Sequence, residues 1–363
     1  MKAALMEAVK EVSIVDDVDV AAPLADEVVV RTAAAGVCHT DLTALTGGIR
    51  FPVPMVMGHE GAGVVEEVGS AVTSVRRGER VVTTLSDSCG RCRYCLSGRT
   101  YLCYRVGRGR DRCEPPRLSR AGKAVTPFCG VGSFAQRIVI SERAVAAVGD
   151  DIGLDRAALL GCGVLTGLGA VLRTARVEVG DSVAVLGCGG VGLSIVQGAR
   201  IAGAARIIAI DPVAAKRDIA LRVGATDVVD PEDSDPVGQV LELSAGGVDH
   251  AFEAVGTAGT IEHAFAMLTR GGTATVVGAP GNVSVRVPTT PLMFDRRLQG
   301  SCMGSNSFHL DIPAYVELYR RGLLLLDELV SGHLVLDEIE RAWSDLRSGA
   351  SARNVIVFDA EEC

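Results

Sequence analysis

The rhythm of hydrophobic and polar positions changes once along this chain. Up to about residue 160, short valine-rich runs alternate with Gly and Pro turns, as at 27–31 and 63–68, and this predicts a β-rich region. From about 164 to 302 the pattern predicts strands and helices in alternation. Strand 183–187 leads to helix 190–202, strand 206–210 to helix 213–223, and strand 249–253 to helix 258–268, before a strand at 273–277. Such a series folds as a doubly wound parallel sheet. The tail carries amphipathic helices near 311–321 and 336–347 and a last strand at 354–358, and the chain has no internal repeat or low-complexity segment.

Composition narrows the class. At 363 residues the chain is long enough for two domains with separate cores. A formal charge of −8 argues against a nucleic-acid partner, which needs a basic face. The first seven residues break into charge before an apolar stretch forms, so no signal peptide is expected. No bilayer-spanning run is expected either, because 183–199 reads as strand, turn and helix. Eleven cysteines would suit disulfides in an exported protein. Six of them fall into two metal-like clusters, leaving Cys113, Cys129, Cys188, Cys302 and Cys363 as an odd remainder. That is the pattern of a reduced, cytoplasmic protein.

Cys89, Cys92, Cys95 and Cys103 lie in one short loop, spaced C-x2-C-x2-C-x7-C. The loop has almost no apolar side chain to hold it, and four thiolates are the usual ligands of a structural zinc. A second set is spread more widely: Cys38 in Gly-Val-Cys-His-Thr-Asp, His59 followed by Glu60, and Cys162 between two glycines. Two cysteines and a histidine make a three-ligand zinc site with one position open for water or substrate.

The turn Gly187-Cys188-Gly189-Gly190-Val191-Gly192 follows strand 183–187 and opens an apolar helix. These glycines permit a tight turn and let backbone approach a pyrophosphate at the helix N-terminus. The next strand ends in Asp211, where a carboxylate accepts hydrogen bonds from the adenosine ribose and repels the 2′-phosphate of NADP, so NAD is expected.

Together these motifs resemble the zinc-dependent medium-chain alcohol dehydrogenases, from residue 1 to about residue 358. The resemblance implies an α/β protein with a GroES-like, β-rich catalytic domain at 1–163 and 303–363 and a Rossmann NAD-binding domain at 164–302. It places the active site in the cleft between them. It implies one catalytic zinc on Cys38, His59 and Cys162, with Glu60 beside it, and one structural zinc on the four-cysteine loop. Thr40 would accept the alcohol proton, and Asp41 would orient His59. Thr166 and Val191 would touch the nicotinamide, Lys216 the adenosine ribose, and His39 and Arg353 the pyrophosphate. Leu85, Phe128, Ala279, Cys302 and Met303 would line the substrate pocket.

The implied reaction is hydride transfer between a primary alcohol or aldehyde and NAD, in a homodimer or homotetramer. Leucine and methionine in the pocket favour bulky alcohols, aryl or allylic, over ethanol. Two departures from liver-type relatives stand out. Thr43 replaces the histidine that completes their proton relay, and His39 stands where an arginine is common. Residues 104–123 carry Arg105, Arg108, Arg110, Arg112, Arg117, Arg120 and Lys123 against Asp111 and Glu114. This is either a solvated surface loop or a basic patch that steers an anionic substrate. A thiol-dependent formaldehyde dehydrogenase shares every motif above and is the alternative. A nicotinoprotein that never releases its NAD, or a non-enzymatic zinc protein on this scaffold, are further readings.

Overall fold

The computed structural model describes every residue except 107–109, 111–113, 234, 280, 282, 350, 351, 361 and 362. The chain divides into two compact units, one of Met1–Cys162 with Ser307–Cys363, the other of Gly163–Asn306.

Strand Glu27–Gly36 is the spine of the first unit. Its Val28, Val29 and Val30 are all buried, so this run has no polar alternation. It pairs antiparallel with Glu60–Val68, with Arg137–Ser141 and with the last strand, Arg353–Val357. Arg80–Thr83, Val145–Ala147 and Val330–Leu334 complete this sheet. Ala3–Ala8 runs through a second sheet, between Glu11–Val15 and Met55–Val56. Helix Ile339–Ser348 buries Ile339, Ala342, Trp343 and Leu346, one stripe at helical spacing, against Met55, Met57, Phe128 and Phe134. Truncating a fully buried tryptophan such as Trp343 typically costs about 3–5 kcal/mol.

The second unit is a parallel sheet ordered Asp227–Val229, Arg206–Ile210, Ser182–Leu186, Val248–Glu253, Leu268–Val276, Arg297–Gly300. Chain order reverses between Ser182–Leu186 and Val248–Glu253, so the loops that follow these two strands diverge and open a crevice at the sheet's carboxyl edge. Strand Asp227–Val229 and helix Pro236–Leu243 were not read from the sequence. The helix expected at 258–268 ends at Ala266, and the next strand already begins at Leu268.

Two expectations need correction. Leu154–Ala175 forms a helical run of 22 residues with a hydropathy of 1.5, long and apolar enough to cross a membrane by those measures. However, 83% of that window is buried inside the protein, which accounts for its apolar composition. The basic loop is also less free than its sequence suggests. Arg110 and Arg117 both turn inward onto the buried carboxylate of Glu27, at 2.5 and 2.8 Å. Arg105 lies 4.0 Å from Asp87, and Arg120 pairs with Asp17 and Glu7. Arg108 and Arg112 lie outside the described residues, as does Cys113.

Candidate functional site

Cys38 occupies the N-cap of the short helix His39–Leu45, and its backbone N–H donates to Asp41 Oδ2 at 3.0 Å. The other oxygen of Asp41 accepts from His59 Nδ1, also at 3.0 Å, with both side chains fully buried. That bond fixes the proton on Nδ1, and Nε2 is left buried with no hydrogen-bond partner among the described residues. Gly58 precedes His59 with φ +95°, and a Cβ there would lie 2.5 Å from Ser133 Oγ and 2.6 Å from Phe134 N. Only glycine lets the chain bring His59 to this point.

Cys162 arrives from the helical run, in the π-helical turn Leu160–Val164, a local widening frequent at functional sites. A Cβ on the adjacent Gly161 would overlap the carbonyl oxygen of Thr83. The ligand atoms of Cys38, His59, Glu60 and Cys162 all lie within 4.8 Å of one another, and all four residues are buried. Two thiols, an imidazole nitrogen without a partner and a carboxylate suit a zinc ion well. Hydrogen bonding to the Cys162 thiol holds Cys38 well below the usual thiol value, although burial pushes the other way.

Glu60 is fully buried, and neither of its oxygens has a hydrogen-bond partner among the described residues. Burial pushes it up to about 7, against the opposing pull of Arg353, whose Nη2 lies 3.4 Å from Oε1. Gly36 makes the room, since a Cβ there would overlap Glu60 Oε2. The sequence reading sent Arg353 to a pyrophosphate. In the structure its guanidinium is buried beside Glu60 and donates to the carbonyl of Val37 at 3.1 Å.

Thr40 Oγ1 lies 3.6 Å from Cys38 Sγ and so borders the cluster. Thr43 points elsewhere, donating its hydroxyl to the carbonyl of His39 one helical turn back at 2.8 Å. His39 itself is exposed. Phe128 packs edge-on against the His59 ring at 5.5 Å and against Phe51 at 4.8 Å, with Leu85 in the same core. Phe51 escaped the sequence reading, because nothing local marks a phenylalanine before proline as a neighbour of a metal-site aromatic.

The four-cysteine loop is built as a second metal cage, its sulfurs again within 4.8 Å of one another. Backbone N–H groups point at them: Cys89 N to Cys103 Sγ, Cys92 N to Cys89 Sγ and Arg105 N to Cys103 Sγ, at 3.3–3.4 Å. Such donors stabilise thiolate charge. The backbone N–H of Cys95 contributes most to drawing Cys92 down to about 6.

In the second unit, Gly187 has φ +94° and its N–H donates to the carbonyl of Ile210 at 2.8 Å. A Cβ on Gly192 would overlap the Gly187 carbonyl, so helix Gly190–Ala202 starts hard against the turn. The turn and helix start supply the open backbone that a dinucleotide pyrophosphate needs. Asp211 is nearly buried, accepting from Cys188 N at 2.8 Å and Val213 N at 2.9 Å. Lys216 is half-buried on the following helix. A Cβ on Gly167 would lie 2.6 Å from the Val191 carbonyl oxygen, so the helix carrying Thr166 packs close to the turn, and Thr166 Oγ1 lies 3.7 Å from Met303 Sδ. Cys302 and Ala279 are exposed on this unit, whereas Leu85 and Phe128 belong to the first.

Residues 24–150 match the family model of the alcohol dehydrogenase GroES-like domain, and residues 190–321 that of zinc-binding dehydrogenases. The chain is 40% identical over 352 residues to an S-(hydroxymethyl)glutathione dehydrogenase of Synechocystis sp., covering 94% of this chain and 95% of that one. A solved alcohol dehydrogenase zinc-binding domain protein of Burkholderia ambifaria superposes with a TM-score of 0.94 at 34% identity, with 98% of each chain covered. The benzyl alcohol dehydrogenase of Acinetobacter calcoaceticus does so with a TM-score of 0.92 at 31% identity, again over 98% of both chains.

Proposed function

The chain belongs to the zinc-dependent medium-chain alcohol dehydrogenase family, and on that premise we propose that it interconverts bulky primary alcohols, aryl or allylic, and their aldehydes with NAD. The observation that carries the chemistry is the buried His59 Nε2, without a hydrogen-bond partner among the described residues and set among two thiols and a carboxylate. Cys38, His59 and Cys162 would hold the catalytic zinc with Glu60 in reserve, and Cys89, Cys92, Cys95 and Cys103 the structural one. Zinc supplies Lewis acidity that brings an alcohol hydroxyl's pKa towards neutrality, and the nicotinamide is the hydride acceptor.

The protein's own groups align and manage protons. Asp41 holds the His59 ring in one tautomer and orientation. Thr40, beside Cys38, takes the alcohol proton, and no relay passes through Thr43, whose hydroxyl is tied to its own helix. Gly187, Gly189, Gly190, Val191 and Gly192 cradle the dinucleotide, with Asp211 and Lys216 at its ribose and Thr166 near the nicotinamide. The preference for NAD rests on Asp211. The neighbouring cation Arg217 does not compensate, being tied to Asp230 at 2.7 Å and to the carbonyls of Asp211 and Pro212.

The likeness to a benzyl alcohol dehydrogenase supports an aryl substrate. A second reading takes the hydroxymethyl thiol adduct of formaldehyde as the alcohol, favoured by the 40% identity to S-(hydroxymethyl)glutathione dehydrogenases. Against it, Arg105, Arg110, Arg117 and Arg120 are already paired with carboxylates, which leaves this loop less charge for an anionic thiol. A homodimer or homotetramer is read from the family alone, and light scattering on the purified protein tests it. The deciding experiment is NAD reduction with benzyl, cinnamyl, hexyl and ethyl alcohols beside formaldehyde with and without glutathione. Turnover of the larger alcohols without thiol supports the first reading. Activity confined to formaldehyde plus glutathione replaces it with the second.

A further inference from the structure

Glu253 ends strand Val248–Glu253, at the point where the parallel sheet reverses its order. Its side chain is fully buried. One oxygen, Oε1, accepts three hydrogen bonds: from Val255 N at 2.8 Å, Gly256 N at 2.6 Å and Thr260 Oγ1 at 2.8 Å. The other, Oε2, is buried with no hydrogen-bond partner among the described residues. Burying a carboxylate is costly, and a half-satisfied one is a poor device for stability alone. Its effect here is to clamp the backbone of residues 255 and 256 from below.

The clamped segment lies against the glycine-rich turn. Ala254 N donates to the Leu186 carbonyl at 2.9 Å, and a Cβ on Gly187 would lie 2.7 Å from Val255 Cγ2. On its other side, a Cβ on Gly278 would lie 2.6 Å from Gly256 N. Val255 nevertheless keeps half its surface open. An open apolar side chain on a rigidly held backbone, beside the turn at the sheet's switch point, is one wall of the crevice where a dinucleotide lies in this architecture.

We propose that Glu253 is a positioning residue for the nicotinamide cofactor: through Val255 and Gly256 it fixes the wall facing the Gly187 turn, with Thr260 completing the clamp. The proposal rests on the reading of that turn as the dinucleotide site. It assigns a role in cofactor affinity to a carboxylate that would touch neither cofactor nor substrate.

The test is NADH affinity, read from the fluorescence of the bound nucleotide without turnover, alongside the melting temperature. Glu253→Gln gives up the charge on three hydrogen bonds and puts an amide where Oε2 finds no partner, so Kd for NADH should rise about tenfold or more, the scale of one charge-assisted bond. Thr260→Val removes the bond to Glu253, together with the bonds the hydroxyl makes to Thr257, at nearly constant volume and should raise Kd about threefold or more, while Thr260→Ser restores it. This milder pair keeps the question answerable where Glu253→Gln does not fold. Thr257→Val is the control, because Thr257 shares the helix cap with Thr260 but does not touch Glu253. It should lower the melting temperature and leave Kd alone. Equal weakening by Thr257→Val and Thr260→Val, or a Kd unmoved by Glu253→Gln and Thr260→Val, overturns the positioning role. Failure of the unmodified protein to bind NADH overturns instead the reading on which it rests.

Discussion

His59 Nδ1 and Asp41 Oδ1 meet at 3.0 Å in a fully buried pair, and this one bond decides which nitrogen of the ring is left for a metal. Asp41 also accepts from Cys38 N, so a single carboxylate positions two of the zinc donors. Asp41→Asn should weaken zinc binding at this site about 10- to 100-fold while the four-cysteine loop keeps its metal. Competition with a chromophoric chelator measures this directly. Unchanged affinity would mean that the ring is held by packing against Phe128 instead.

Thr40 and Thr43 lie one helical turn apart and should behave differently. Thr40→Ala should lower kcat about 100-fold or more, the usual scale for a lost proton-transfer group. Thr43→Ala removes only a bond to the His39 carbonyl and should keep most activity. Equal losses in steady-state assays would place both hydroxyls on the proton path.

Gly161→Ala drives a methyl group into the Thr83 carbonyl oxygen, and backbone cannot swing aside as a flexible side chain would. The helical turn that carries Cys162 must shift. We expect a loss of about 1–3 kcal/mol in stability, as for other overpacked sites, and loss of the catalytic zinc with retention of the structural one. Metal analysis of the folded protein reads the outcome, and full zinc content would show that the π-helical turn absorbs the strain.

Glu27 holds two buried guanidiniums. Glu27→Ala should cost about 3–5 kcal/mol, because Arg110 and Arg117 are left without their counter-charge. Burial raises the Glu27 carboxyl, but Arg110 and Arg117 together with the Leu24 N–H outweigh it and leave it below its ordinary 4.5. Its stabilising contribution is therefore intact above pH 4.5 and is lost as pH falls through the lowered value. Acid unfolding should be correspondingly flatter in Glu27→Gln than in the unmodified protein between pH 5 and 3, roughly the range over which a depressed carboxylate titrates.

The chemistry was legible in the sequence because metal donors and phosphate turns are written in short, fixed spacings. Cys38, His59 and Cys162 do converge, and Asp41 does meet His59. The helical run that delivers Cys162 was not legible, since Gly161, Gly163, Gly167 and Gly169 disfavour a helix by their backbone freedom. In the fold Gly161, Gly167 and Gly169 serve close packing, against Thr83, Ser194 and Gly304. Nor could spacing reveal that Arg117 would cross 90 positions to reach Glu27, or that Arg353 would lie 3.4 Å from Glu60. Long-range ion pairs leave no local pattern for a single sequence to show.

Strand Glu27–Gly36 carries one further consequence. Part of its length is paired by Arg353–Val357, and Arg353 donates to a carbonyl 316 positions earlier in the chain. On the ribosome the early strand therefore waits, with a bare hydrogen-bonding edge next to the future metal site, until almost the whole polypeptide has emerged. Gly163–Asn306 is synthesised within that interval and has local pairings enough to fold first. A chain cut short before residue 353 would leave an open, aggregation-prone edge instead of a weakened enzyme.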